Sequence, residues 1–109
     1  MGVVASRFDV YLARFDPAEG LEMRKTRPCV ILSTEEMNRY LGTVVVAPMT
    51  TKARIFPTRV PVRFKGREGH VVLDQIRTLD NNRLIRRLGT LEVPFFQPVL
   101  AALQQMFAP

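Results

Sequence analysis

The segment Arg24-Lys25-Thr26-Arg27-Pro28 sets three cations within four residues and closes them against a proline. Proline lacks an N–H and holds the residue before it extended, so Arg27 is expected where a polar loop meets a rigid strand. Its guanidinium offers planar, paired donors suited to a phosphate and to the charge that develops on one. Thr50 supplies a hydroxyl at the end of an apolar run, with Lys52 and Arg54 just beyond it. Asp74, Gln75 and Arg77 interrupt a third apolar run. Arg27, Thr50 and Asp74, with Lys25, Lys52, Gln75 and Arg77 around them, suit phosphoryl transfer without a metal, provided a curled sheet brings them together. The same residues also fit a solvated basic turn, a capped turn at Thr50 and an ion pair of Asp74 with Arg77 or Arg87. Spacing alone does not separate these readings.

Other chemistries have less support. One His, one Cys and scattered carboxylates give no ligand spacing for a metal, and no glycine-rich phosphate loop is present. A Cys29/His70 nucleophile pair is conceivable, but Cys29 sits in an apolar run, where an inert buried thiol is the common outcome, and His70 follows a turn that would expose it. A net charge of +6 favours a polyanionic partner. A single cysteine excludes an intramolecular disulfide. Arg7, Asp9 and Arg14 break any leader-like apolar core, and no apolar stretch approaches the length of a membrane span. A cytoplasmic protein without membrane association is expected.

The elements that must position these groups follow from pattern. With 109 residues, 47% of them hydrophobic, one domain over 1–109 with one modest core is expected. Met1 to Ser6 reads as a short frayed tail. Arg7 to Phe15 alternates as a strand, with Phe8, Val10 and Leu12 on one face and Asp9, Tyr11 and Ala13 on the other. A turn at Asp16-Pro17-Ala18-Glu19-Gly20 opens a long charged loop to Thr26, a candidate flexible flap. Pro28 to Ser33 is the second strand. Ser33-Thr34-Glu35-Glu36 fits a capping box for a short helix through about Tyr40, ended by Leu41-Gly42. Thr43 to Met49 is the most apolar strand, with Pro48 limiting pairing near its end. Thr58 to Phe64 looks like an edge strand, Lys65 to Gly69 like a hairpin turn, and His70 to Leu79 like a strand long enough to bend. A turn at Asp80 to Arg83 and a last strand, Leu84 to Leu91, follow. Val99, Leu100, Leu103, Met106 and Phe107 recur at helical spacing, with Pro98 at the first helical position and Pro94 to Gln97 as a separate turn. Met106 and Phe107 are expected near the surface, where they could join two copies. The whole is mainly β with a C-terminal helix, a strongly bent antiparallel sheet or half-barrel.

The motifs in this order resemble the MazF/PemK family of bacterial toxins. The resemblance rests on Arg24 to Ser33, on Val44-Val45-Val46-Ala47-Pro48-Met49-Thr50, on Leu73-Asp74-Gln75-Ile76-Arg77-Thr78-Leu79-Asp80, and on Arg86-Arg87-Leu88-Gly89-Thr90-Leu91. It spans Asp9 to Phe107. It implies an SH3-like barrel of the CcdB/PemK type, usually a homodimer, that cuts single-stranded RNA at short sequences without metal or cofactor and is neutralised by a cognate antitoxin with an acidic, partly disordered tail. It also implies 2′-hydroxyl attack, leaving a 2′,3′-cyclic phosphate and a 5′-hydroxyl. Carried onto this chain, the catalytic pair is Arg27 and Thr50, with Arg27 stabilising the phosphorane charge and sharing in proton movement. Glu22, Lys25, Lys52, Asp74, Gln75 and Arg77 become substrate contacts. Asp74 matches an aspartate proposed as acid or base in the PemK/Kid branch, but Leu21 and Val72 replace that branch's histidine and arginine, which favours Asp74 as a contact or orienter. The related CcdB-type toxins, which poison gyrase, carry a tryptophan near the C-terminus; this chain has no Trp. A non-catalytic SH3-like module binding nucleic acid is the third reading.

Overall fold

The structure is a computed structural model that describes residues 4–52 and 54–109. Seven strands form one antiparallel sheet: β1 Asp9–Arg14, β2 Thr26–Ile31, β3 Thr43–Thr50, β4 Arg59–Phe64, β5 Arg67–Val72, β6 Arg77–Asp80 and β7 Leu84–Thr90. The order across it is β4-β5-β3-β2-β1-β7, with β6 also paired to β3. Helix α1, Glu35–Leu41, joins β2 to β3, and α2, Phe96–Met106, closes the chain. No helix among the described residues is long and apolar enough to cross a membrane.

β3 organises the sheet because it has three partners. One edge pairs with β2, from Cys29↔Pro48 to Ile31↔Val46. Its other edge pairs first with β6, through Val46↔Arg77, and then with β5, from Met49↔Val71. Ala47 and Pro48 fall where the second partner changes. Pro48 has no N–H to give, so it sits where no ladder bond is required. The expected long strand from His70 to Leu79 is therefore two strands. A 3₁₀ turn at Leu73–Gln75 separates them. Leu73 N donates to Thr58 O at 2.9 Å and Ile76 N to Leu73 O at 3.2 Å, and the chain turns instead of bending.

The expectation of a single core is corrected. The central strands bury both faces. Val10, Val30, Ala47, Met49, Val62 and Val71 belong to one cluster, covered by Val99 and the apolar side of α2. Tyr11, Ala13, Phe15, Cys29, Ile31, Val44 and Val46 form a second. Small residues on that second face, such as Ala13 and Cys29, let a thin layer close over it. Part of the closure is polar: Asn38 of α1, itself buried, donates to Ala5 O at 2.7 Å. Ala5 is thus packed and not frayed; Met1, Gly2 and Val3 of the expected tail lie outside the described residues.

Helix caps differ in detail. Thr34, not Ser33, caps α1, its hydroxyl accepting from Met37 N at 3.2 Å. Ser33 is buried instead; its hydroxyl donates to Asn38 and accepts from Val45 N at 2.9 Å. The α1 C-cap is Gly42, at φ 71°, as the Leu41-Gly42 pair suggests. α2 starts two residues before Pro98, because a 3₁₀ turn at Val93–Phe95 runs directly into it. Phe96 stacks on Phe8 with ring centroids 4.0 Å apart, fixing that start against the sheet. Met106 packs against the first core, whereas Phe107 is exposed.

Candidate active site

Arg27 is the second residue of β2, and Thr50 is the last of β3. They line one cavity of about 370 Å³, with Met49, Val62 and Leu88 as apolar wall and Glu68 and His70 of β5 on its rim. Arg27 Nε donates to Arg24 O at 3.0 Å. That bond aims the side chain and leaves its terminal nitrogens without a protein acceptor among the described residues. Thr50 Oγ1 accepts from Lys52 N at 3.1 Å. With one lone pair so engaged, the hydroxyl proton is free for an outside acceptor. Two preset donors thus line a largely apolar hollow, the arrangement that stabilises a developing oxyanion.

Asp74 is not part of this cavity. It lines a neighbouring depression of about 420 Å³ with Glu22, Gln75 and Arg77. Its ion pair is with neither Arg77 nor Arg87. Arg59 Nε and Nη2 reach its two oxygens at 3.2 and 3.0 Å, and Thr58 Oγ1 donates at 2.8 Å. The Arg59 hydrogen bonds hold the Asp74 carboxyl below the usual aspartate range, against the opposing effect of partial burial. Arg77 donates to Phe15 O at 2.9 Å and lies over the Phe15 ring, and Arg87 bonds Asp9 at 3.3 Å. Lys25 and Lys52 are exposed and line neither hollow.

The loop between β1 and β2, expected as a flap, is hydrogen-bonded to the wall of the neighbouring depression. Met23 N donates to Gln75 Oε1 at 3.1 Å, and Gln75 Nε2 donates to Leu21 O at 3.3 Å. Glu22 accepts from Glu19 N at 2.7 Å, and Phe15 N donates to Lys25 O at 2.8 Å. Lys25 holds a left-handed φ of 69°, which turns the chain into β2 and Arg27 into the cavity mouth.

Cys29 and His70 do not form a pair. Cys29 is fully buried in the second core, and burial pushes its thiol up to about 12. His70 lines the cavity on β5. Among the described residues no three His, Cys, Asp or Glu side chains gather as a metal site would require. Sequence reasoning missed Arg59 as the partner of Asp74 and the place of His70 and Glu68 beside Thr50. Only the cross-strand register, Thr50↔His70, reveals the latter.

The family described as PemK-like, MazF-like toxin of type II toxin-antitoxin system matches residues 6–107. The chain belongs to that family. Endoribonuclease MazF of Staphylococcus saprophyticus is 43% identical over 89 residues, covering 75% of this chain and 73% of that protein. The crystal structure of MazF from Deinococcus radiodurans superposes with a TM-score of 0.86 at 25% identity, covering 96% of this chain and 97% of that one. A mycobacterial endoribonuclease in complex with its cognate antitoxin gives 0.81 at 26% identity, with 96% and 97% covered. The antiparallel sheet and closing helix are therefore the fold of MazF toxins, and the cavity of Arg27 and Thr50 belongs to a toxin of this family.

Proposed function

We propose that this toxin is a sequence-selective endoribonuclease that cuts single-stranded RNA without a metal, through attack of the RNA's own 2′-hydroxyl on the adjacent phosphorus. The products are a 2′,3′-cyclic phosphate and a 5′-hydroxyl. One observation carries the reading: Arg27 and Thr50 line the same cavity, each held by a backbone bond that leaves donors free for a phosphate. Arg27 stabilises the phosphorane charge, and Thr50 donates to a non-bridging oxygen. A nucleophile found in RNA and absent from DNA explains the choice of substrate. Glu22, Asp74, Gln75 and Arg77, in the neighbouring depression, hold flanking nucleotides, while exposed Lys25 and Lys52 steer the strand.

The domain spans 1–109 and acts in the cytoplasm. The net charge of +6 suits both RNA and the acidic, partly disordered tail proposed for a cognate antitoxin, and the mycobacterial relative was solved in complex with its own cognate antitoxin. Exposed Phe107 and Val93 on the closing segment favour a homodimer. The test is incubation of the purified protein with a long RNA in excess EDTA. Discrete cleavage is expected. Activity lost in EDTA and restored by magnesium would overturn the mechanism.

A further inference from the structure

Attack by a 2′-hydroxyl needs a group that takes its proton. Neither donor in the cavity fits that task. An arginine keeps its protons throughout the neutral range, and the Thr50 hydroxyl is set to donate. The chain's single histidine stands directly opposite Thr50. His70 and Thr50 are register partners across β5 and β3. Directly opposed residues project from the same face with Cβ atoms about 4.5–5.5 Å apart. Both line the cavity that holds Arg27. His70 Nδ1 is buried without a hydrogen-bond partner among the described residues. The imidazole is thus committed to no protein group, and Nε2 is the nitrogen a bound strand can reach.

Resting on the RNA-cleaving function above, we propose that His70 is a catalytic residue of this toxin, the base that removes the 2′-hydroxyl proton. The 2′ oxygen forms a bond to phosphorus as its proton passes to Nε2. The P–O5′ bond breaks, and its electron pair leaves with the 5′ oxygen, which takes a proton from water. His70 then returns its proton to solvent. Arg27 and Thr50 hold the non-bridging oxygens meanwhile. Gly69 contributes to the fit, because a Cβ there would stand 2.9 Å from Thr50 O, so only glycine lets β5 bring His70 this close to the end of β3.

The charged groups lining the hollows that His70 shares are Arg27 of β2, Arg63 of β4, and Arg67 and Glu68 of β5. A rate limb that is present in the wild type and vanishes when only the imidazole is removed is assigned to His70 and to none of these neighbours.

The experiment is the single-turnover rate of RNA cleavage from pH 5 to 9 for the wild type, H70Q and H70A. The wild-type rate should climb along one limb in that window. H70Q should lack the limb and cleave about 10²-fold more slowly at neutral pH, within the ordinary contribution of a general base, while still binding RNA and melting as the wild type does. Added imidazole should restore part of the H70A rate. A wild type that cleaves with a flat profile overturns the proposal, as does H70Q cleaving at full rate with the wild-type profile. If H70Q melts early, the wild-type profile and the imidazole rescue of H70A decide, and absence of either counts against His70. A wild type that cleaves no RNA at any pH defeats the endoribonuclease reading itself, a result distinct from a failure of His70 alone.

Discussion

Gly69→Ala should disturb the cavity from outside its reacting groups. A methyl at Gly69 would meet Thr50 O at 2.9 Å, Thr50 C at 3.5 Å and Thr51 Cα at 3.9 Å, about 0.5 Å short of ordinary contact at the nearest atom. The obstacle is backbone, so no side chain can swing aside. The end of β3 must move. Overpacking of this kind costs about 1–3 kcal/mol, offset by about 0.4–1 kcal/mol because alanine stiffens the unfolded chain. A net loss of about 1–2 kcal/mol follows. In a domain of this size each kcal/mol lowers the melting temperature by roughly 4–8 °C. The same displacement carries Thr50 away from the phosphate. A 1 Å misplacement can cost about 10²-fold in rate, so about half that shift should cost roughly tenfold. Thermal unfolding and single-turnover cleavage of one labelled RNA read both quantities. A G69A protein that melts at or above the wild-type temperature and cleaves at the wild-type rate would refute the close approach of β5 to Thr50.

Arg27→Ala should leave the melting temperature near wild type and lower cleavage by about 10²–10³, the usual loss for one preset charge-stabilising donor, with RNA affinity falling much less. Near wild-type cleavage would remove Arg27 from the chemistry. Asp74→Asn should cost about 1 kcal/mol at neutral pH, a figure reduced for a pair still about a third exposed on the Asp74 side, where solvent screens it. Because Arg59 lowers the folded-state value of Asp74, its stabilisation is present above the unfolded aspartate value of about 3.9 and fades as pH falls through the folded one. The urea-unfolding difference between D74N and wild type should therefore shrink on acidification; a difference that grows would reverse the assignment. Cys29, fully buried with its thiol pushed up to about 12, should resist a thiol-specific reagent in the native protein and react once urea unfolds it. Rapid native labelling would show that the second core is open.

The strand-end positions of Arg27 and Thr50 were legible in local sequence, whereas their selection as a pair without Asp74 came from the family resemblance. Pro28 forces Arg27 onto the start of a strand, and the run Val44 to Met49 carries Thr50 to the end of the next one. The edge position of β4 was legible from the same alternation. What lay beyond reach depends on contacts between distant segments. Asp74 pairs with Arg59 because a 3₁₀ turn breaks the long strand just where Leu73 N finds Thr58 O, a bond that no window around Asp74 contains. His70 looked exposed because a turn precedes it, yet register sets it across from Thr50. Two faces were buried where one was expected, since alternation in β1 shows two sides without showing that both are covered. Ser33 and Thr34 are equivalent caps in sequence. Val45 N, which meets the Ser33 hydroxyl, decides between them.

Cleavage of an RNA oligonucleotide with a single 2′-deoxy substitution at the cut position tests the central claim most directly. The nucleophile proposed here is the 2′-hydroxyl itself, oriented by a phosphate held between Arg27 and Thr50. The substituted strand should bind about as well as the unmodified one and remain uncut at that position, while the unmodified strand yields a 2′,3′-cyclic phosphate and a 5′-hydroxyl. Cleavage at the deoxy position at a comparable rate would show that the attacking oxygen comes from water or from the protein, and would contradict the mechanism.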